Sequence, residues 1–213
     1  MYQEQQGWEV ICLIQKPRGA QIVIFGNMLS ESLREKTLSS HRELEKQVIQ
    51  KIKSIQSVVD YMDLLHIFHK YFGNLENKIA PFLHTNFMPD IHKYRHARRL
   101  ADDIAELGGK PNIRADQVVL PRICSWQDAL GALYVMEGST LGGKFIVQLV
   151  SKQAKLTKGF SFFSAYGERT AEHWAQFQDT INARVVEPSD IDQTVTAAGE
   201  TFCYFSAFIK QYG

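Results

Sequence analysis

The sequence predicts an all-α protein built as a multi-helical bundle, and three observations carry that expectation. From Ser30 onward, apolar residues recur at spacings of three and four, the period of helices with one buried face. Proline and glycine stand where helices would stop or start: at Pro81, at Gly108 and Gly109 with Pro111, and at Pro188. No strand pattern alternates with these helices in the way a parallel sheet requires. With 213 residues and 45% hydrophobic composition, the chain can bury a full core. One domain over residues 28–213 is expected, preceded by an extension of residues 1–27.

The extension has a pattern of its own. Apolar runs at residues 8–14 and 21–25 flank Lys16-Pro17-Arg18-Gly19, which reads as strand, turn, strand. A lone hairpin is marginally stable, so the expectation is a hairpin or an unstructured leader, with no function assigned.

In the first helix, Leu33, Thr37, His41, Leu44, Val48, Ile52 and Ile55 form one inward stripe with His41 at its middle. A second helix is predicted over about residues 58–80, with Tyr61, Leu64, Leu65, Phe68, Phe72, Leu75 and Ile79 inward and a stop at Pro81. After a loop through Pro89, a third helix over about residues 90–107 ends at the glycine pair. Ser125 then caps a long apolar helix bearing glycines at 138, 142 and 143. Another helix is predicted from Tyr166 to about Val185. A last one starts behind Glu187-Pro188-Ser189-Asp190 and carries Phe202, Tyr204, Phe205 and Phe208.

Charge and cysteine content exclude several classes. The 24 basic and 23 acidic residues nearly cancel, so there is no electrostatic footprint for nucleic acid or an anionic membrane. No apolar run reaches the roughly 18 to 20 residues that span a bilayer, and the first residues lack the basic start of a secretory signal. A cytoplasmic protein with no membrane and no nucleic-acid partner is expected. Cys12, Cys124 and Cys203 are odd in number, far apart and in no C-x-x-C pair, which indicates neither a disulfide framework nor a zinc knuckle.

The glycines of the long helix need a cause. Each interior glycine costs roughly 1 kcal/mol relative to alanine, so a cluster at 138, 142 and 143 implies an object too close to the backbone for side chains. Three causes remain open: close helix packing through Gly138-x-x-x-Gly142, a phosphate loop, or a flat cofactor. The run from Gly138 to Gly143 and Lys144 fits G-x-x-x-x-G-K, but Phe145 replaces the hydroxyl residue that would hold magnesium. Nor is it the G-x-S-x-G of a serine nucleophile.

Among the histidines, His41 on its apolar stripe is either a satisfied boundary residue or an inward-facing ligand, with Glu45 one turn on. His92 and His96 stand at i and i+4, but the surrounding Lys93, Arg95, Arg98 and Arg99 predict a solvated basic face. Asp63-x-x-His66 lacks the second E-x-x-H that a di-iron carboxylate site needs.

Two stretches together resemble haem oxygenases. Residues 33–45, around His41, look like the proximal helix of that family, and residues 131–143 resemble its distal helix. The likeness is greatest to the bacterial subgroup that often accompanies bacteriophytochromes. It implies a haem oxygenase-like bundle with haem b held between a proximal helix and a glycine-kinked distal helix. By this similarity His41 is the axial ligand of the haem iron, with Glu45 one turn on. Arg34 pairs with a haem propionate, Tyr134 hydrogen-bonds one, and Arg169 or Arg184 is a further candidate. Gly138 and Gly142 lie over the iron, Gly143 aids the kink, and Ser139 and Thr140 border the distal water. His41, Gly138, Ser139 and Gly142 are the implied catalytic set. Ser139 stands where the animal-type enzymes carry an aspartate.

The implied reaction opens haem, which is substrate and cofactor together, to biliverdin, carbon monoxide and ferrous iron. It consumes O2 and external electrons from a ferredoxin or flavoprotein reductase. A non-catalytic haem carrier or sensor is the alternative, and the same architecture also serves thiamin-salvage and quinone-cofactor enzymes that bind no haem.

Overall fold

The computed structural model describes residues 28–83, 96–112 and 118–212. Over these the chain is helical, with no strand. The hairpin expected in the first 27 residues, His92 and the first six residues of the third predicted helix lie outside the described residues.

Among the described residues nine α-helices follow in order: α1 Leu29–Lys36, α2 Leu38–Lys53, α3 Val58–Ile79, α4 His96–Glu106, α5 Trp126–Gly138, α6 Gly143–Ala154, the single turn α7 Ser161–Ser164, α8 Thr170–Arg184 and α9 Pro188–Tyr212. Short 3-10 turns cover Ala80–Phe82 and Gly167–Arg169. The predicted first helix is in fact two. At Thr37 the backbone leaves helical geometry (φ −99°, ψ 0°) while the hydroxyl donates to Leu33 O at 2.6 Å. A threonine that bonds back onto its own preceding turn bends the helix axis there. The periodic stripe survives the bend, because Leu33, Thr37, Leu44, Ile52 and Ile55 are buried and His41 is half-buried.

Helix boundaries follow local chemistry. Ser57 caps α3 in a reciprocal box, its hydroxyl accepting from Asp60 N at 3.2 Å while Asp60 Oδ2 accepts from Ser57 N at 2.9 Å. Proline ends the same helix as expected, inside the 3-10 turn at Ala80–Phe82. Beyond α4, Gly108 takes φ +87°, and Gly109 N returns to Ile104 O at 2.8 Å, the left-handed close that glycine allows. The penultimate predicted helix starts later than its pattern suggested. Gly167 at φ +60° interrupts the chain between Tyr166 and Thr170.

The long last helix, α9, organises the packing. It lies most extensively along α5 and also covers α2 and α1. Tyr71 of α3 stacks on Phe205 of α9 at 4.5 Å, and Phe68 meets the same ring edge-on at 5.1 Å. Phe202, Phe205 and Phe208 are buried, whereas Tyr204 faces solvent. Helix α1 is tied to α8 by a reciprocal pair, Ser30 N to Asn182 Oδ1 and Asn182 Nδ2 to Ser30 Oγ, both 2.9 Å.

A buried carboxylate secures α7. Asp103 of α4, 1% exposed, accepts from Ser161 N at 2.7 Å and Phe162 N at 2.8 Å. Burial pushes its carboxyl above the ordinary range while these two donors pull it back. Asp103→Ala leaves both donors without their acceptor, and a loss of about 3 kcal/mol in urea unfolding is expected. A second expectation concerns pH. His69 is 1% exposed, and burial, assisted by the neighbouring His66, pushes its imidazole below the ordinary value. The unfolded chain therefore takes up this proton more readily than the native one. Its contribution to stability is full above about pH 6.5 and is lost as pH falls below that value. Replacing His69 by Phe should flatten the decline in melting temperature on acidification through that window.

Candidate functional site

His41 enters the bundle one turn after the bend at Thr37, its backbone N–H bonded to Thr37 O at 2.9 Å. Its ring meets the edge of Phe202 on α9 at 5.4 Å. Among the described residues the imidazole makes no hydrogen bond, and half-buried Glu45 acts on it through charge alone. Burial lowers the affinity of this imidazole for a proton, Glu45 opposes that and Arg42 reinforces it, and the outcome lies below the ordinary value. The ring is thus held neutral near pH 7, the form that can donate a lone pair to a metal.

The glycine-bearing segment is two helices joined by a tightened turn. Ser125 caps α5 by accepting from Asp128 N at 3.1 Å. After Gly138 the hydrogen bonds shorten their reach from four residues to three: Thr140 N to Glu137 O at 3.1 Å, Leu141 N to Gly138 O at 3.2 Å and Gly143 N to Thr140 O at 3.1 Å. The hydroxyls of the turn serve the same purpose. Ser139 Oγ donates to Met136 O at 2.6 Å and Thr140 Oγ1 to Glu137 O at 2.8 Å, satisfying carbonyls at the helix end.

The glycines here have different causes, and none of them lies at positive φ. A Cβ at Gly131 would strike Thr194 O and, at 2.8 Å, Ala198 N, because α5 and α9 cross backbone to backbone there. A Cβ at Gly143 would collide with the Phe163 carbonyl of α7. Packing therefore explains these two. A Cβ at Gly138 would meet nothing closer than Trp174 Cη2 at 3.8 Å, so the folded chain gives no reason for glycine at that position.

Of the remaining expected residues, Tyr134 sits one turn before Gly138, 8% exposed, its ring 5.3 Å from Trp174. Trp174 of α8 therefore spans Tyr134 and Gly138 and in turn stacks on Phe177 at 5.6 Å. Arg34 is exposed near the end of α1. Arg169 is committed to Glu172 through contacts of 2.9 and 3.1 Å on the surface. Helix α2, carrying His41 and Glu45, packs against α6, and α9 is the common neighbour of α2 and α5.

The expectation for His96 is overturned. It is 1% exposed, and its Nε2 lies 2.6 Å from Glu137 Oε1 on α5, itself 3% exposed. The hydroxyl of Tyr166 donates to both carboxylate oxygens, at 3.3 and 3.1 Å. On this helix Arg98 is exposed and Arg99 half-buried, and counting charges without their helical phase hid a histidine that points inward. Glu137 stood within the glycine motif but gave no signal, because its partners lie 41 and 29 residues away.

Comparisons with known proteins agree on one family. A sequence model of the family described as "Heme oxygenase" matches residues 27–211. A heme oxygenase of Xanthomonas campestris pv. campestris is 27% identical over 146 residues, 68% of this chain and 86% of the relative. The fold is that of the NO- and CO-bound heme oxygenase of Neisseria meningitidis (TM-score 0.70, 16% identity, 87% of this chain and 92% of that one). The heme oxygenase of Leptospira interrogans matches similarly (TM-score 0.71, 16% identity, 87% and 100%). Among the described residues, no helix is long and apolar enough to cross a membrane.

The contrast between the glycines is testable without any ligand. Gly143→Ala should cost at least about 2 kcal/mol in chemical unfolding through the clash with α7. Gly138→Ala should fold with stability within about 1 kcal/mol of the parent, since the added methyl makes only an ordinary van der Waals contact with Trp174.

Proposed function

The chain belongs to the haem oxygenase family, and we propose that His41 and the α5–α6 turn are the two walls between which it holds haem. It is a haem-degrading oxidoreductase, converting haem to biliverdin, carbon monoxide and ferrous iron with O2 and external electrons. The observation that carries the placement is the open side of Gly138. Packing accounts for Gly131 and Gly143 but leaves Gly138 without a cause, and a flat ring with a small iron ligand against bare backbone supplies one. The neutral, unpartnered imidazole of His41 fits the opposite side.

Haem bound here supplies the redox-active iron and the meso carbon that is oxidised. The chain's own contribution is placement and exclusion. His41 presents a neutral nitrogen, with Phe202 fixing its ring and Glu45 biasing its charge. Gly138 and Gly142 keep side chains out of the opposite wall, leaving room for a diatomic ligand. The hydroxyl proton of Ser139 is committed to Met136 O, so at that wall its oxygen can only accept a hydrogen bond. Tyr134 and the exposed Arg34 are the proposed propionate partners, Thr140 shapes the turn, and Gly143 holds it against α7. The cytoplasm as location, membership of the phytochrome-associated subgroup, and a ferredoxin or flavoprotein reductase as electron donor belong to this proposal. The balanced surface charge and the serine at position 139 support it.

Purified protein mixed with haemin and given a reductant in air should lose its Soret band and develop the broad red absorption of biliverdin, with carbon monoxide released. A haem complex that survives this treatment would instead identify a carrier or sensor. His41→Ala should alter the ferric haem spectrum and abolish turnover, and an unchanged spectrum would refute the ligand assignment.

A further inference from the structure

We propose that Glu137 is a positioning residue of the haem site, clamped by His96 and Tyr166 so that the α5–α6 turn holds Gly138 at a fixed distance from Trp174; its role toward haem rests on the function proposed above. The placement of this carboxylate is costly in two ways. It is buried, and it is the penultimate residue of α5, where the negative end of the helix dipole disfavours an acid. If burial alone mattered, an apolar side chain of similar volume would serve the fold as well or better.

The hydrogen bonds show what the carboxylate does. His96, on α4, reaches Oε1 at 2.6 Å, and the Tyr166 hydroxyl reaches Oε2 at 3.1 Å. Tyr166 is itself pinned between two partners, stacked on His173 of α8 at 4.2 Å and covered by the Arg99 guanidinium at 4.8 Å. Its side chain thus anchors Glu137 to two elements outside the turn. The backbone carbonyl of Glu137 meanwhile closes the turn, accepting from Thr140 N at 3.1 Å and Thr140 Oγ1 at 2.8 Å. One residue therefore fixes both the start of the tightened turn and its height relative to α4 and α8. Gly138 follows it directly, and α8, which carries His173 against Tyr166, also carries Trp174 against Gly138. Loosening the clamp should let the bare backbone wall drift from Trp174 and enlarge the space over the haem.

The test uses the full chain with and without haemin. In the haem-free protein, the amides of Ser139, Thr140 and Leu141 should exchange with deuterium faster in Glu137→Ala and in the milder Tyr166→Phe than in the parent. In the ferric haem complex, Glu137→Ala should bind imidazole, a ligand bulkier than a diatomic, roughly tenfold more tightly, the lower end of what outer partners of a metal site are worth. Glu137→Gln, which can still accept from His96 and bond Tyr166, should restore both properties toward the parent. Ser57→Ala, which removes the cap of α3, should lower the melting temperature and change neither. Unchanged exchange at the turn in both weakened variants overturns the clamp. Faster exchange with unchanged imidazole affinity overturns its role at the haem. A parent chain that takes up no haemin would sink the haem reading instead, and the exchange comparison would still decide the clamp.

Discussion

The close crossing of α5 and α9 at Gly131 is the constraint from which the rest of the architecture follows. With no side chain at Gly131 and with Ala197 and Ala198 opposite, the two backbones approach within the reach of a single methyl group. That contact places the last helix of the chain directly against the helix that leads into the turn at Ser139. From there α9 extends over α2, where Phe202 meets the edge of His41. Two segments about a hundred residues apart thereby share one rigid partner, which sets their separation. A gap of set width between two helices is what a flat, rigid ligand requires, and an enzyme whose substrate is such a ligand gains most from preorganising it.

The two walls differ in how their polar groups are used. On the α2 side, burial without a hydrogen-bond partner keeps His41 neutral and available. On the α5–α6 side the polar groups of the turn are already engaged: the Ser139 and Thr140 hydroxyls with the backbone carbonyls of Met136 and Glu137, and the Glu137 carboxylate with the side chains of His96 and Tyr166. The first wall is poised to bond and the second to stay still.

Much of this was legible in the sequence. The apolar period and the punctuation at Pro81, Gly108, Ser125 and Pro188 located the helices, and two short motifs picked out the two segments that we propose hold haem. What escaped has physical reasons. The bend at Thr37 depends on a hydroxyl choosing its own preceding turn, which the periodic stripe does not register. The turn α7 is four residues long and exists because Asp103 caps it from 58 residues away. His96 looked solvated because its neighbours are basic, yet helical phase turns it inward to an acid contributed by another helix. Pairings of distant residues leave no local trace, so the motif disclosed its glycines and concealed the carboxylate beside them.

The division of labour among the glycines bears on how this chain could change over time. Gly131 and Gly143 are each blocked by a neighbouring backbone that no side-chain rearrangement can move, so any descendant keeping the bundle must keep both. At Gly138 a Cβ would make only an ordinary contact with Trp174, and under the function proposed above it is bound haem that resists a side chain there. A lineage that abandoned its substrate while preserving its shape would be free to lose Gly138 first. Under that proposal the residue at this single position distinguishes a working descendant from an empty scaffold, whereas the other two glycines report only that the scaffold persists.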